Sequence, residues 1–160
     1  MEPQQIQLNF LSYASPADLP EEKAALLAAA KKALPNAYAP YSKFQVAAAA
    51  KTEDGVIMTA CNTENAAYPM CICAERAALA AIASQFPQAK VVSMAITVKS
   101  PSQVLSSPAS PCGACRQVLA EHEQRHGHHL ELILQGEAGP VYVIERAQDL
   151  LPLGFGAEYL

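Results

Sequence analysis

Apolar residues change rhythm along this chain, and each change marks an element. From Asp18 to about Leu34 the Ala and Leu residues gather on one side of a helix, Asp18 and Glu21 stand at capping-box spacing, and Pro35 with Asn36 stops the run. Phe44 to Thr52 and Val56 to Cys61 read as the arms of a β-hairpin across Glu53-Asp54-Gly55, although the alanine run 47–50 is weak strand-forming sequence. Leu79, Ile82 and Phe86 restore helical spacing and predict a helix from Cys73 to about Phe86, ended by Pro87. Lys90 to Val98 then reads as a buried strand. A Ser- and Pro-rich loop, Lys99 to Pro111, leads into a helix that starts at Cys112 and ends around Gly127. Leu130 to Leu134 and Val141 to Ile144 form two further strands across a Gly-Glu-Ala-Gly-Pro turn, and Glu145 to Leu151 reads as a short last helix. This order suits neither a bundle nor a sandwich. It predicts an α/β protein, a mixed sheet with helices on both faces, in one domain over residues 18–160 preceded by an N-terminal extension, residues 1–17.

Composition narrows the function classes. A chain of 160 residues can bury roughly two-thirds of the surface that its unfolded form exposes, so a core forms without disulfides. Hydrophobic residues at 51% and charged residues at 16% exclude an intrinsically disordered chain. A net charge of -4 and the lack of any Lys or Arg run disfavour a nucleic-acid partner. The first residues have neither a basic nor an apolar leader region, and Ala24 to Ala30 is too short and too flanked by charge to span a bilayer. A cytoplasmic protein with no membrane partner is expected. Five cysteines in such a setting point to reduced thiols with metal or catalytic work rather than a disulfide framework.

Those thiols are clustered. Cys73-Ala74-Glu75 and Pro111-Cys112-Gly113-Ala114-Cys115 each put thiols in the first turn of a predicted helix, where unpaired N–H groups and the positive end of the helix dipole favour thiolate. Cys112 and Cys115 are one turn apart and can face one ion. With Cys73 from the other helix they offer three sulfurs and leave a fourth position open, the arrangement of a catalytic rather than a structural zinc. Glu75, two residues past a ligand, can approach that open position without entering the coordination sphere and is read as the proton shuttle. A C-x-E half and a P-C-x-x-C half together resemble the zinc deaminase pattern.

The stretch from Ala37 to Leu160 also resembles cytidine deaminase of the small, homotetrameric type. The matching segments, in order, are AYAPYSKFQVAAAA, CNTENAAYP, ICAER, SPCGACRQVL and the tail LLPLGFG. The resemblance implies a three-layer αβα fold on a mixed five-stranded sheet and one zinc per subunit on Cys73, Cys112 and Cys115. It implies hydrolytic deamination of cytidine and deoxycytidine to uridine and deoxyuridine, with release of ammonia, a step of pyrimidine salvage. Asn62 and Glu64 would bind the ribose, Phe44 would pack against the pyrimidine, and main-chain groups around Ala74 and from Pro111 to Cys112 would orient the base. Phe155 would reach a neighbouring subunit's site, Tyr68 would lie near substrate and subunit contact, and active sites would be shared within a homotetramer. Arg76 would hydrogen-bond the thiolates, whose cluster with Zn²⁺ carries a charge of about -1.

The chain departs from the family pattern at Ala47 and Cys71, both usually Gly. Cys73 rather than Cys71 is taken as the ligand because it has the C-A-E-R context; Cys71 reads as a small packed residue and Cys61 as buried and inert. Three rivals remain. His122-Glu123-Gln124-Arg125-His126 matches the H-E-x-x-H pattern of zinc proteases but lacks a third ligand and lies too far along its helix to share the thiolate ion, so it reads as a solvated helix end. A thiol-disulfide oxidoreductase built on Cys112 and Cys115 would leave Glu75 unused. A blasticidin S deaminase-like aminohydrolase shares both cysteine motifs, and the C-N-T-E-N segment and the Phe155 tail favour cytidine over it.

Overall fold

A computed structural model describes residues 1–160. Its elements are β1 (Leu11–Tyr13), α1 (Glu21–Ala33), β2 (Gln45–Thr52), β3 (Ile57–Cys61), α2 (Ala74–Gln85), β4 (Val91–Lys99), α3 (Gly113–His126), β5 (Glu131–Gln135) and β6 (Val141–Ile144). The strands form one sheet in the order β1-β6-β5-β4-β2-β3. β4 and β5 are parallel, joined through α3, and the other neighbours are antiparallel.

Alternation along the strands divides the core in two. Leu132, Leu134, Met94, Ile96, Ala48 and Ala50 pack with Ala78, Leu79 and Ile82 of α2 and Leu119 of α3. Ile133, Ala95 and Ala49 point to the opposite face and pack with Leu26, Leu27 and Ala30 of α1. The layers are therefore helix, sheet, helix, as expected, and each buried Leu or Ile contributes about 1.5–3 kcal/mol. Ala47 to Ala50 are fully buried in a strand covered on both faces. Small side chains there let α1 and α2 approach the sheet closely, and pairing with both β3 and β4 overrides the weak strand propensity of alanine.

Three expectations need correction. The sheet has six strands rather than five, because Leu11–Tyr13 of the N-terminal extension pairs with β6, with the Phe10 ring 4.8 Å from that of Tyr142. A three-residue strand has too little alternation to be read, and its partner lies at the far end of the chain. The capping box sits three residues upstream of its expected place: Ser15 and Asp18 cap the short 3-10 turn Pro16–Asp18, and Pro20 then precedes α1. The last helix shrinks to a 3-10 turn, Ala147–Leu150.

One buried carboxylate ties the far end of α3 to the sheet. Glu123 is 4% exposed and accepts hydrogen bonds from the N–H groups of Leu130 at 2.6 Å, Ala147 at 3.1 Å and Gln148 at 3.1 Å. Gly127 makes the turn just before this junction in the left-handed conformation, φ 58°, that glycine adopts without steric cost. Replacing Glu123 by Ala leaves the Leu130 and Gln148 N–H groups without an acceptor, while the Ala147 N–H keeps the Leu130 carbonyl at 2.9 Å, so the variant is expected to lose about 2–3 kcal/mol of stability in urea unfolding. A loss within about 0.5 kcal/mol, the range of ordinary surface substitutions, would contradict this.

Candidate active site

The topology brings five chain ends to one edge of the sheet. β2 begins where β4 ends, with Val46 opposite Val98, and β3 ends beside Ala47. The starts of α2 and α3 complete the group. Cys73 and Cys112 are the N-cap residues of these helices, both extended, and neither sulfur makes a capping hydrogen bond. Both are thus free to face a common point. Cys112 Sγ lies 3.9 Å from Cys73 Sγ and 3.5 Å from Cys115 Sγ, and all three sulfurs fall within 4.8 Å of one another.

These thiols share protons. Hydrogen bonding from Cys115 is the main cause that holds the Cys73 thiol down at about 6, and the same contact, with burial, pushes the Cys115 thiol up. One thiolate is favoured, while further ionisation waits for a compensating charge. Glu75, on the first turn of α2, is 4% exposed. Burial pushes its carboxyl up, and its Oε2 has no hydrogen-bond partner.

Both groups face a cavity of about 360 Å³ lined by Ser42, Phe44, Val46, Asn62, Glu64, Cys73, Glu75, Ile96, Val98, Ala109, Ser110 and Cys112. Its far wall is braced from within. Asn62 accepts from the Val46 N–H at 2.8 Å and donates to the Phe44 carbonyl at 2.9 Å, which leaves one amide donor and one lone pair free. Glu64 accepts from the Tyr41 N–H at 2.8 Å, the Ser42 N–H at 3.2 Å and the Ser42 hydroxyl. The Ser42 hydroxyl, ahead of the main-chain N–H groups, holds this carboxyl below the usual range.

The model of the cytidine and deoxycytidylate deaminase zinc-binding region matches residues 20–126, which span every one of these groups. The chain belongs to this family. It is 46% identical over 97 residues to the cytidine deaminase of Sporosarcina psychrophila, covering 60% of this chain and 66% of that one. It is 39% identical over 131 residues to the Mycobacterium tuberculosis enzyme, covering 82% and 87%. The solved structure of cytidine deaminase from Burkholderia pseudomallei superposes with a TM-score of 0.71 at 40% identity, over 86% of this chain and all of the other. The donor set fits the zinc of the deaminase family. Tetrahedral Zn–S bonds of about 2.3 Å set sulfurs about 3.8 Å apart, close to the spacings here, and the unpartnered Glu75 oxygen lies in the same cavity.

The other expected site residues do not line the cavity themselves. Ala74 is buried at the first position of α2, beside Glu75. Arg76 makes no hydrogen bond to a sulfur; its charge only favours the Cys73 thiolate, and its side chain lines a groove between α2 and α3. Tyr68 is 70% exposed and meets the Tyr41 ring edge-on, and Phe155 is 58% exposed and stacks on Tyr159. Neither lines the cavity of its own chain. Cys71 Sγ accepts the Asn65 N–H at 3.2 Å and stands outside the metal-binding group. Cys61 donates to the Ala33 carbonyl, and burial raises its thiol.

Some contributors had no separate signal in the sequence. Ser42 braces Glu64, and Lys43, in the left-handed conformation with φ 59°, turns the chain so that both Ser42 and Phe44 line the cavity. Arg116 holds the turn before Cys112, as described below. The H-E-x-x-H segment is solvated only at its end, where Arg125, His128 and His129 are exposed: Glu123 is buried on main-chain N–H groups, and His122 Nε2 accepts the Val91 N–H at 3.0 Å with its ring 4.5 Å from that of His126.

Burial, followed by the nearby charges of His126, Arg125 and His128, lowers His122 from 6.5 to about 4. The neutral ring therefore contributes fully to stability above about pH 6.5, and the contribution is lost as pH falls toward 4. His122→Gln keeps an acceptor for Val91 without titrating. Between about pH 7 and pH 5 the wild type is expected to lose more stability in urea unfolding than this variant, and parallel losses would contradict the assignment.

Proposed function

We propose that the protein hydrolytically deaminates cytidine and deoxycytidine to uridine and deoxyuridine, releasing ammonia, at the cavity between Cys73, Cys112 and Glu64. The observation that carries this reading is a buried, unpartnered carboxyl oxygen on Glu75 in the cavity that also takes in the sulfur group. Cys73, Cys112 and Cys115 hold one zinc per subunit, and Zn²⁺ when bound supplies the Lewis acidity that makes a water nucleophilic near neutral pH. Glu75 takes a proton from the attacking water and delivers it to ring N3 as the water oxygen joins C4. It then carries the second proton to the exocyclic amino group, which leaves as ammonia. A carboxyl pushed up by burial is suited to both transfers.

Phe44 packs against the pyrimidine, and main-chain groups at Ala74 orient the base. Asn62 and Glu64 bind the ribose hydroxyls; the bracing from Val46, Phe44 and Ser42 aims their remaining donors and acceptors before substrate arrives. Arg76 offsets part of the thiolate charge. Phe155 and Tyr68, exposed on one chain, belong to a homotetramer in which the tail of one subunit closes the site of another. No helix of the chain is long and apolar enough to cross a membrane, and the substrate is a small nucleoside of the cytoplasm.

Glu75→Gln is expected to keep its zinc and lose turnover by about 10²–10⁴-fold in an ultraviolet assay of cytidine loss. Wild-type rates would remove Glu75 from the mechanism. Cys73→Ala is expected to lose zinc by metal analysis; a variant that kept it would point to a protein site elsewhere. Phe155 in trans has its own test. Co-assembled Phe155→Ala and Glu75→Gln subunits should regain activity that neither variant has alone, because hybrid sites combine an intact Glu75 with an intact neighbouring Phe155. Mixtures no more active than their parents would place the tail in its own subunit's site.

A further inference from the structure

Cys112 follows a segment with little of its own to hold it. Residues Lys99 to Pro111 are almost entirely without regular structure, and a loop of this length in a compact domain is uncommon unless it has a function. Its middle is seated on the β5–β6 turn: the Leu105 carbonyl accepts the Ala138 N–H at 3.1 Å, and a Cβ on Gly136 would collide with the carbonyl oxygens of Leu105 and Ser107. From Ser106 to Pro111 the chain makes a single hydrogen bond. Arg116 Nε donates to the Pro111 carbonyl at 2.9 Å. The same guanidinium donates through Nη1 to the Leu150 carbonyl, also at 2.9 Å.

Both acceptors belong to buried residues, so each carbonyl would lose its partner without the arginine. The peptide unit that Arg116 grips joins Pro111 to Cys112, and its orientation sets where the Cys112 sulfur lies relative to Cys115 on the helix proper. At its other end the guanidinium grips the end of the 3-10 turn Ala147–Leu150, from which the tail to Phe155 departs. A planar fork with two separate donors meets both demands at once; a lysine ammonium on a flexible stem does not fix them in one geometry.

We infer that Arg116 is a positioning residue for the metal, a strut that holds the Pro111–Cys112 peptide against the 3-10 turn Ala147–Leu150 and so fixes the spacing of the Cys112 and Cys115 sulfurs. This rests on the reading of Cys73, Cys112 and Cys115 as the zinc ligands. The strut acts through the backbone of a ligand.

The test is chelator competition for zinc on the full-length protein, together with thermal unfolding of zinc-loaded and zinc-free samples. Arg116→Ala is expected to weaken zinc binding by about 10–100-fold, the usual effect of removing a group that orients a ligand, with Arg116→Lys in between. The rise in Tm on loading zinc should shrink in Arg116→Ala. Arg125→Ala, on the exposed side of the same helix, should match wild type in both. If Arg116→Ala binds zinc as tightly as wild type, or lowers the Tm of loaded and zinc-free protein equally, Arg116 is a general structural residue and the inference fails. Cys112→Ser on the same assay separates the two levels: retention of wild-type zinc affinity there would overturn the ligand assignment itself.

Discussion

Three sulfur atoms within 4.8 Å of one another cannot all carry negative charge unaided. Two unit charges about 4 Å apart repel by about 4 kcal/mol at the effective dielectric of a protein surface, and three such pairs meet here. A divalent cation among the sulfurs and the positive ends of α2 and α3 beneath them offset this repulsion. The uneven proton affinities of Cys73 and Cys115 are the signature of the same constraint: the first thiolate forms readily and the next does not. Everything else at the site follows from the need to bring two helix starts to one point and leave room beside them for a carboxyl group.

The sheet meets that need by its order. With β4 at the centre, β2 antiparallel on one side and β5 parallel on the other, the start of β2, the end of β3 and the end of β4 open onto one edge. The connection from β4 to β5 must leave from that edge, and it returns through α3 with Cys112 at its first turn. Fully buried alanines in β2 let α2 lie close to the sheet, which brings Glu75 to the cavity floored by Ile96 and Val98. The same close packing leaves a Glu75 oxygen buried without a protein partner, a cost that a catalytic cavity tolerates because substrate supplies the partner.

The helices and the five longer strands were legible because proline, glycine and runs of apolar residues punctuate them, and the cysteine spacing located both helix starts. Long-range pairings were not. Leu11–Tyr13 becomes a strand only because β6 lies open beside it, and nothing local in Leu-Ser-Tyr records that. Glu123 sits in a segment that reads as polar surface, yet it accepts N–H groups from Leu130, just before β5, and from the 3-10 turn Ala147–Leu150, partners that only the folded chain supplies. Arg116 is equally silent, since a single arginine after a cysteine does not reveal that its fork will span Pro111 and Leu150. Tyr68 and Phe155 mark the opposite limit: the resemblance to the family makes them expected site residues, while one chain leaves both facing solvent.

The central claim is that sulfurs from two different helix starts bind one ion. X-ray absorption at the zinc edge of the loaded protein tests it most directly. Three sulfur neighbours per zinc at about 2.3 Å, with no imidazole scattering, is the expected result. Two or four sulfurs, or histidine nitrogens in the coordination sphere, would contradict it.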